Sequence, residues 1–343
     1  MKVGLLTGGG DCPGLNAVIR AVVQRLANEG VLSLGILEGW RGLVQNLTCE
    51  LTLKETDGIV GQGGSILGSS RTNPYRNPET DLTALRTNFS RLELDGLIVI
   101  GGDDTLGVAI RLHNDFSLPV IGIPKTIDND LLVTDFSFGF DTAVNVVTEA
   151  VDRLRTTAES HRRVMVVETM GRHSGWIACF AGMAVGADYI LIPEVPIDLN
   201  HLTSTLSRRR AGGKKYGIVV VAEGARFSDQ GPFTVGGDAD PFGNPRLGGI
   251  GAVIAEAITR QTGIETRTVV LGHLQRGGTP SAYDRILATR LGLAAGSLVL
   301  EGRYGTMVTS SQGHIVETVM NRSSVAAKTL DLTYYNEAAA FFR

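Results

Sequence analysis

Two clusters of carboxylates stand behind apolar runs in this chain. Gly101-Gly102-Asp103-Asp104-Thr105 follows Leu97-Ile98-Val99-Ile100 directly. Lys125-Thr126-Ile127-Asp128-Asn129-Asp130 follows Pro119-Val120-Ile121-Gly122-Ile123. Each reads as a strand that ends in a polar loop, and in open α/β sheets ligands bind at the carboxyl ends of strands. An aspartate at a strand end beside two glycines suits Mg²⁺, which takes one or two carboxylates and leaves room for substrate phosphates. That assigns the metal to Asp103, against the alternative that Asp103 or Asp104 only caps the next helix. A carboxylate beside a cation suits a general base for phosphorylating a hydroxyl. Asp128 is that candidate, with Lys125 as the cation and Thr126 as the group that orients hydroxyl or phosphate; the alternative is an Asx-rich turn. Together the clusters point to phosphoryl transfer.

A third cluster is Thr7-Gly8-Gly9-Gly10-Asp11, behind the strand-like Val3 to Leu6. Leu15, Val18, Ile19, Val22 and Leu26 then recur at helical spacing, with Pro13 near the start and Gly30 past the end. Strand, glycine loop and helix make an anion seat, because helix-start amides point at the ligand. The spacing is neither GxGxxG nor GxxxxGK[ST], so the dinucleotide and P-loop fingerprints do not apply.

Positive charge comes from the second half. Arg163, Arg172, Arg267, His273 and Arg276 stand beside apolar runs or glycine-rich turns, and arginine forks suit phosphate oxygens. They imply a dianionic substrate. Glu223, before Gly224, is placed to accept sugar hydroxyls or to be an ordinary strand-end carboxylate.

The elements that must carry these residues alternate. Leu97 to Ile100 leads into a helix around Leu106 to His113, and Asp141 opens a long helix through Val144, Val147, Val151, Leu154 and Ala158. Strands follow at Val164 to Val167, Ile218 to Val221 and Thr268 to Leu271. Strands alternating with helices imply right-handed βαβ units and mainly parallel sheets. The expected architecture is two Rossmann-like, three-layer α/β/α lobes facing a cleft. Phe227 to Leu247, rich in Gly, Pro and Asp, reads as a surface insertion.

Composition bounds the partners. Of 343 residues 44 are glycine, nearly twice the usual share, and they cluster at the ends of apolar runs. Net charge is −3, which leaves nucleic acid without an electrostatic footprint. Arg208-Arg209-Arg210 with Lys214-Lys215 is the main basic run and reads as a solvated helix end. Cys12, Cys49 and Cys179 have no metal spacing, no signal peptide precedes the first strand pattern, and no apolar stretch is long enough for a membrane span. A reducing cytoplasm is the expected location.

In this order the clusters resemble the 6-phosphofructokinase family. The likeness runs from Thr-Gly-Gly-Gly-Asp-Cys-Pro-Gly-Leu-Asn at 7–16 to Leu-Gly-His-Leu-Gln-Arg-Gly-Gly-Thr-Pro at 271–280. Between them lie Gly-Gly-Asp-Asp-Thr, Pro-Lys-Thr-Ile-Asp-Asn-Asp, Glu-Thr-Met-Gly-Arg at 168–172, Pro-Glu-Val-Pro at 193–196 and Glu-Thr-Arg at 265–267. The resemblance implies that Asp128 is the base for the sugar 1-hydroxyl and that Asp103 binds Mg²⁺. It implies that Gly9 and Gly10 hold donor phosphate. Thr126, Asp128, Arg163, Met170, Gly171, Arg172, Glu223, Arg267, His273 and Arg276 would bind fructose 6-phosphate. Arg163 and Arg267 would come from the neighbouring subunit of a homodimer or homotetramer.

The resemblance also bears on the donor. ATP-using members carry glycine where Asp104 stands, leaving room for the nucleotide α-phosphate. A carboxylate there repels it, whereas pyrophosphate has no α-phosphate. Lys125 resembles the lysine of pyrophosphate-using members, although some ATP-using members share it. The expected activity is a reversible, pyrophosphate-dependent 6-phosphofructokinase reaction. An ATP-dependent enzyme of the same family, or a non-catalytic sugar-phosphate sensor, are the alternatives. Arg20 fits an effector-binding arginine of allosteric members, but Gln24 stands where another is expected, with Lys214 as a further candidate. The lobes would divide as 1–140 with about 275–325 for the donor, and 141–274 with about 326–343 for the acceptor.

Overall fold

The computed structural model describes residues 1–228, 231, 233–234 and 247–342. Most of the expected insertion at 227–247 therefore lies outside the described residues. Two sheets organise the rest. The larger contains β1 (Lys2–Thr7), β2 (Leu32–Ile36), β3 (Thr48–Leu51), β4 (Gly96–Gly101), β5 (Val120–Pro124), β10 (Thr306–Ser311) and β11 (His314–Val319), in the order β11-β10-β5-β4-β1-β2-β3. The smaller contains β6 (Val164–Thr169), β7 (Tyr189–Leu191), β8 (Gly217–Ala222) and β9 (Thr266–Val270), in the order β7-β8-β6-β9. All pairings are parallel except the β10–β11 hairpin and the β2–β3 edge pair. The expected mainly parallel α/β architecture is what forms.

Burial explains the uninterrupted apolar runs. Every residue of β4, β5, β6 and β8 is buried, as strands covered by helices on both faces must be. Alternation along the larger sheet splits its side chains between two packing layers. Leu5, Ile98, Ile100 and Ile123 join the layer of α1 (Leu15–Ala27) and the later helix α9 (Ala282–Leu300). Leu6, Leu97 and Val99 join the layer of α2 (Trp40–Gln45), α3 (Thr83–Arg91) and α4 (Asp103–Phe116). The smaller sheet is covered by α5 (Phe140–His161), α6 (Trp176–Ala184), α7 (Leu199–Ala211) and α8 (Ile250–Thr262), and α10 (Leu332–Ala339) closes the chain against α6 and β7.

One difference from the sequence reading matters. The polar segment after β4 is not a loop, because Asp103 and Asp104 already form the first turn of α4. Gly102 holds the N-cap position and no side chain caps the helix. The capping alternative for Asp103 therefore fails, and its exposed carboxylate has no hydrogen bond or ion pair of its own among the described residues.

The starts of α5 and α9 are fastened by a buried carboxylate. Asp284 Oδ2 accepts from the Thr142 amide at 2.8 Å and from Thr142 Oγ1 at 2.5 Å. The Ser281 amide donates to the same Thr142 hydroxyl oxygen at 2.9 Å. With Asp284 fully buried, Asp284→Ala leaves two donors without partners. The expected loss is about 2 kcal/mol of unfolding free energy, measured by the shift in urea midpoint at unchanged m-value.

Candidate active site

On the donor side, β1 leads into Gly8-Gly9-Gly10, where Gly9 takes left-handed backbone and Gly8 and Gly10 run close against Thr105 and Arg276. Gly9 takes φ 79°, and a Cβ there would lie 3.5 Å from both Lys125 Nζ and Thr105 Oγ1. A Cβ on Gly10 would stand 2.6 Å from Arg276 Nη1. The backbone itself departs from the simple anion seat. The Gly8 and Gly9 amides donate to the carbonyls of Ile100 (2.9 Å) and Ser70 (3.1 Å), so the Gly10 amide is the one left for a ligand. Lys125, 3% exposed, donates from Nζ to the Gly10 carbonyl. Burial pushes its amine below the usual lysine range, opposed by Asp11 and Asp103.

The base loop begins where β5 ends. Asn129 sits in left-handed backbone (φ 51°) between Asp128 and Asp130 and is fully buried. Its Oδ1 accepts from the Ser137 amide at 3.1 Å, and its Nδ2 donates to the Asp135 carbonyl at 3.2 Å. Those bonds replace the helix or strand ladder that the loop lacks. The Asp128 amide donates to Thr126 Oγ1 at 3.1 Å, while Asp128 Oδ1 is buried with no hydrogen-bond partner. Burial raises the Asp128 pKa, against the pull of Arg276, Arg172 and Lys125. Asp130 is pushed up to about 7 by burial and by the neighbouring Asp128. An unpartnered carboxylate oxygen with a raised pKa is what a general base for a hydroxyl requires.

The acceptor side is built at the carboxyl ends of β6 and β8. Met170-Gly171-Arg172 follow β6, with Gly171 at φ 134°. Gly224 must be glycine, because a Cβ would overlap the Arg172 carbonyl at 2.1 Å. Glu223 is pushed up to about 7 by burial, then by Asp128, with Arg172 opposing. The Met170 amide donates to Gln275 Oε1 at 3.2 Å, which ties this turn to the Gly272–Arg276 turn carrying exposed His273. Arg276 Nη1 donates to the Asp11 carbonyl at 3.2 Å. Donor glycines and acceptor cations thus share one cavity of about 540 Å³, lined by Gly9, Gly10, His273 and Arg276 among others.

That cavity has a wall the sequence reading missed. Ser65, Gly68, Ser69, Ser70 and Arg71 line it, and Ser69 Oγ donates to the Gly9 carbonyl at 2.5 Å. The available signal was the dense Gly-Gly-Ser-Ile-Leu-Gly-Ser-Ser-Arg-Thr stretch at 63–72. It went unread because no apolar strand precedes it.

Two predicted ligands are not brought to the cleft of their own chain. Arg163 and Arg267 lie at the amino ends of β6 and β9, opposite to Met170. Both reach Glu265 Oε1, at 2.9 Å and 2.6 Å. The basic run at 208–215 is also more than a solvated helix end. Arg209 and Lys214 pair with the fully buried Asp188 at 2.5 Å and 2.6 Å, which engages Lys214 within the chain.

Residues 2–299 match the family model described as Phosphofructokinase. The chain belongs to the phosphofructokinase family. It is 51% identical over 344 residues, covering all of both chains, to a pyrophosphate--fructose 6-phosphate 1-phosphotransferase of Streptomyces coelicolor. It is 48% identical to ATP-dependent 6-phosphofructokinase 3 of the same organism, over 98% of this chain and 99% of that one. The phosphofructokinase structure from Saccharomyces cerevisiae superposes with a TM-score of 0.83 at 31% identity, over 99% of this chain and 46% of the yeast chain. Among the described residues no helix is long and apolar enough to cross a membrane.

The raised carboxyls set a pH dependence of stability. A folded-state pKa above the unfolded value means that the folded protein holds protons the unfolded chain has released. Stability from Asp130 therefore falls as pH rises from about 4 through about 7. Asp130→Asn is expected to be on the order of 1 kcal/mol more stable than wild type at pH 8, and equal to it below about pH 4. Urea unfolding at both pH values measures this; equal stability at pH 8 counts against the buried-charge account.

Proposed function

We propose that this phosphofructokinase is pyrophosphate-dependent. It transfers phosphate from Mg²⁺-pyrophosphate to the 1-hydroxyl of fructose 6-phosphate, giving fructose 1,6-bisphosphate and phosphate, and it runs in both directions. The observation that carries the donor assignment is Asp104, a carboxylate in the first turn of α4 immediately after Asp103. A helix start otherwise attracts phosphate, and Asp104 cancels that attraction next to the donor seat. Two like charges ~4 Å apart repel by about 4 kcal/mol at a surface-type dielectric, nearly three decades in affinity. A nucleotide carries an α-phosphate into this field; pyrophosphate does not, so the penalty falls on ATP. The likeness to the Streptomyces coelicolor pyrophosphate enzyme supports the same donor. The 48% identity to an ATP-dependent relative keeps ATP as the second reading.

Asp128 takes the proton of the 1-hydroxyl as its oxygen bonds to the transferred phosphorus. The bridging P–O bond of pyrophosphate breaks, and Lys125 balances charge on the departing phosphate. Exposed Asp103, unpaired among the described residues and close enough to perturb both Lys125 and Asp128, is the carboxylate that would hold Mg²⁺, which suits a site of one or two carboxylates beside phosphates. Such a metal neutralises phosphate charge. Gly10, through its amide, and Lys125 hold the donor, with Gly9 lining the seat; Thr126, Met170, Gly171, Arg172, Glu223, His273 and Arg276 hold the sugar phosphate. Arg163 and Arg267, turned away from their own cleft, serve the cleft of a second copy, so the active assembly is a homodimer or homotetramer. The donor lobe comprises 1–140 with about 275–325, and the remainder forms the acceptor lobe. The reaction is placed in the cytoplasm, with no nucleic-acid or membrane partner.

Steady-state assays with each donor test this. Turnover with pyrophosphate and little with ATP is expected, and the reverse preference would overturn the reading. Asp104→Gly is expected to raise kcat/KM for ATP by about two decades or more; unchanged kinetics with both donors would remove the electrostatic account.

A further inference from the structure

The chain returns to the base loop after β11, and the return is stitched rather than merely adjacent. Leu131 and Ala327 form an antiparallel bridge. The Lys328 amide donates to the Asp130 carbonyl at 2.7 Å, and the Leu132 amide to the Ala326 carbonyl at 3.0 Å. Lys328 Nζ donates to the carbonyls of Thr134 at 2.8 Å and Asp135 at 2.9 Å. Asp135 O is also the acceptor for Asn129 Nδ2. One carbonyl therefore joins the lysine to the left-handed residue between Asp128 and Asp130.

The same strap grips the acceptor side. Lys328 Nζ lies 5.0 Å from the ring centre of Trp176, the first residue of α6. Two residues later the Leu330 amide donates to Glu194 Oε1 at 2.7 Å, which also accepts the Gly175 amide at 3.0 Å. Gly175 closes the turn that carries Arg172, and Ser174 Oγ donates to the Asp128 carbonyl at 3.2 Å. Asp128 Oδ1 has no hydrogen bond to orient it, so the aim of the carboxylate depends on how its backbone is held. Burial presses the Lys328 amine down to about 8, with Asp135 and Asp130 opposing.

We propose that Lys328 is a positioning residue for phosphoryl transfer, fixing the 128–135 loop against the turn that carries Arg172. The inference rests on Asp128 being the base, as argued above. Lys328 needs no contact with substrate; misplacing a base by about 1 Å costs up to about a hundredfold in rate.

The test compares wild type, Lys328→Met and Lys328→Arg in the full chain, with the donor that wild type uses. Lys328→Met is expected to lose at least about tenfold in kcat, with KM for donor and sugar phosphate within about threefold of wild type. Lys328→Arg, which can reach both carbonyls, is expected to recover most of the loss. Wild-type kcat in folded Lys328→Met, or a loss that Lys328→Arg does not restore, overturns the inference. If Lys328→Met does not fold, Lys328→Gln, one atom shorter and uncharged, must show a kcat loss that Lys328→Arg does not. A wild-type protein inactive with both donors overturns the functional reading and this inference with it. An active wild type beside an equally active variant overturns this inference alone.

Discussion

A lysine amine buried at the junction of three loops is the constraint on which the site depends. Lys125 is 3% exposed, and a lone ammonium in such a place is costly. Its hydrogen bond to the Gly10 carbonyl and the nearby Asp11, Asp103 and Asp128 offset that cost. Gly9 beside it takes φ 79°, a left-handed backbone that glycine adopts without strain. Backbone bonds set the ends of β1 and β5 against β4: the Gly8 amide donates to the Ile100 carbonyl and the Lys125 amide to the Gly101 carbonyl, both at 2.9 Å.

From that junction the charges sort themselves by distance along the cleft. Carboxylates collect at the ends of β4 and β5; cations collect at the Gly272–Arg276 turn and after β6. Arg276 bridges the two groups, lying over Gly10 and pulling on Asp128. The carboxyls that remain, Asp130 and Glu223, are both pushed up to about 7 because they are buried near a charged Asp128. This is the arrangement expected where bound phosphates and a divalent cation complete the charge balance.

Much of this was legible in sequence, for a physical reason. Strands buried on both faces give continuous apolar runs, so β1, β4, β5, β6 and β8 are legible, and with them the polar residues at their carboxyl ends. Legibility ended where structure is held by side chains rather than by periodicity. The wall at 63–72 has no preceding strand to announce it. The first turn of α4 was taken for a loop, since carboxylates at a helix start look like a turn until the backbone is seen. Arg163 and Arg267 read as ligands supplied to a neighbouring subunit, and strand direction sets them at the amino ends of β6 and β9, paired with Glu265. Nor did anything mark Lys328 and Leu330, whose partners lie more than a hundred residues away.

The central claim is that the cleft uses the inorganic diphosphate itself, with Asp104 closing it to nucleotides. The most direct test runs the reaction backwards without any nucleotide present. Protein, Mg²⁺, fructose 1,6-bisphosphate and ³²P-labelled inorganic phosphate are incubated, and the products are separated. The account predicts labelled pyrophosphate, formed in proportion to fructose 6-phosphate. Its absence, with unlabelled ATP and fructose 6-phosphate forming instead once ADP replaces the inorganic phosphate, would contradict it.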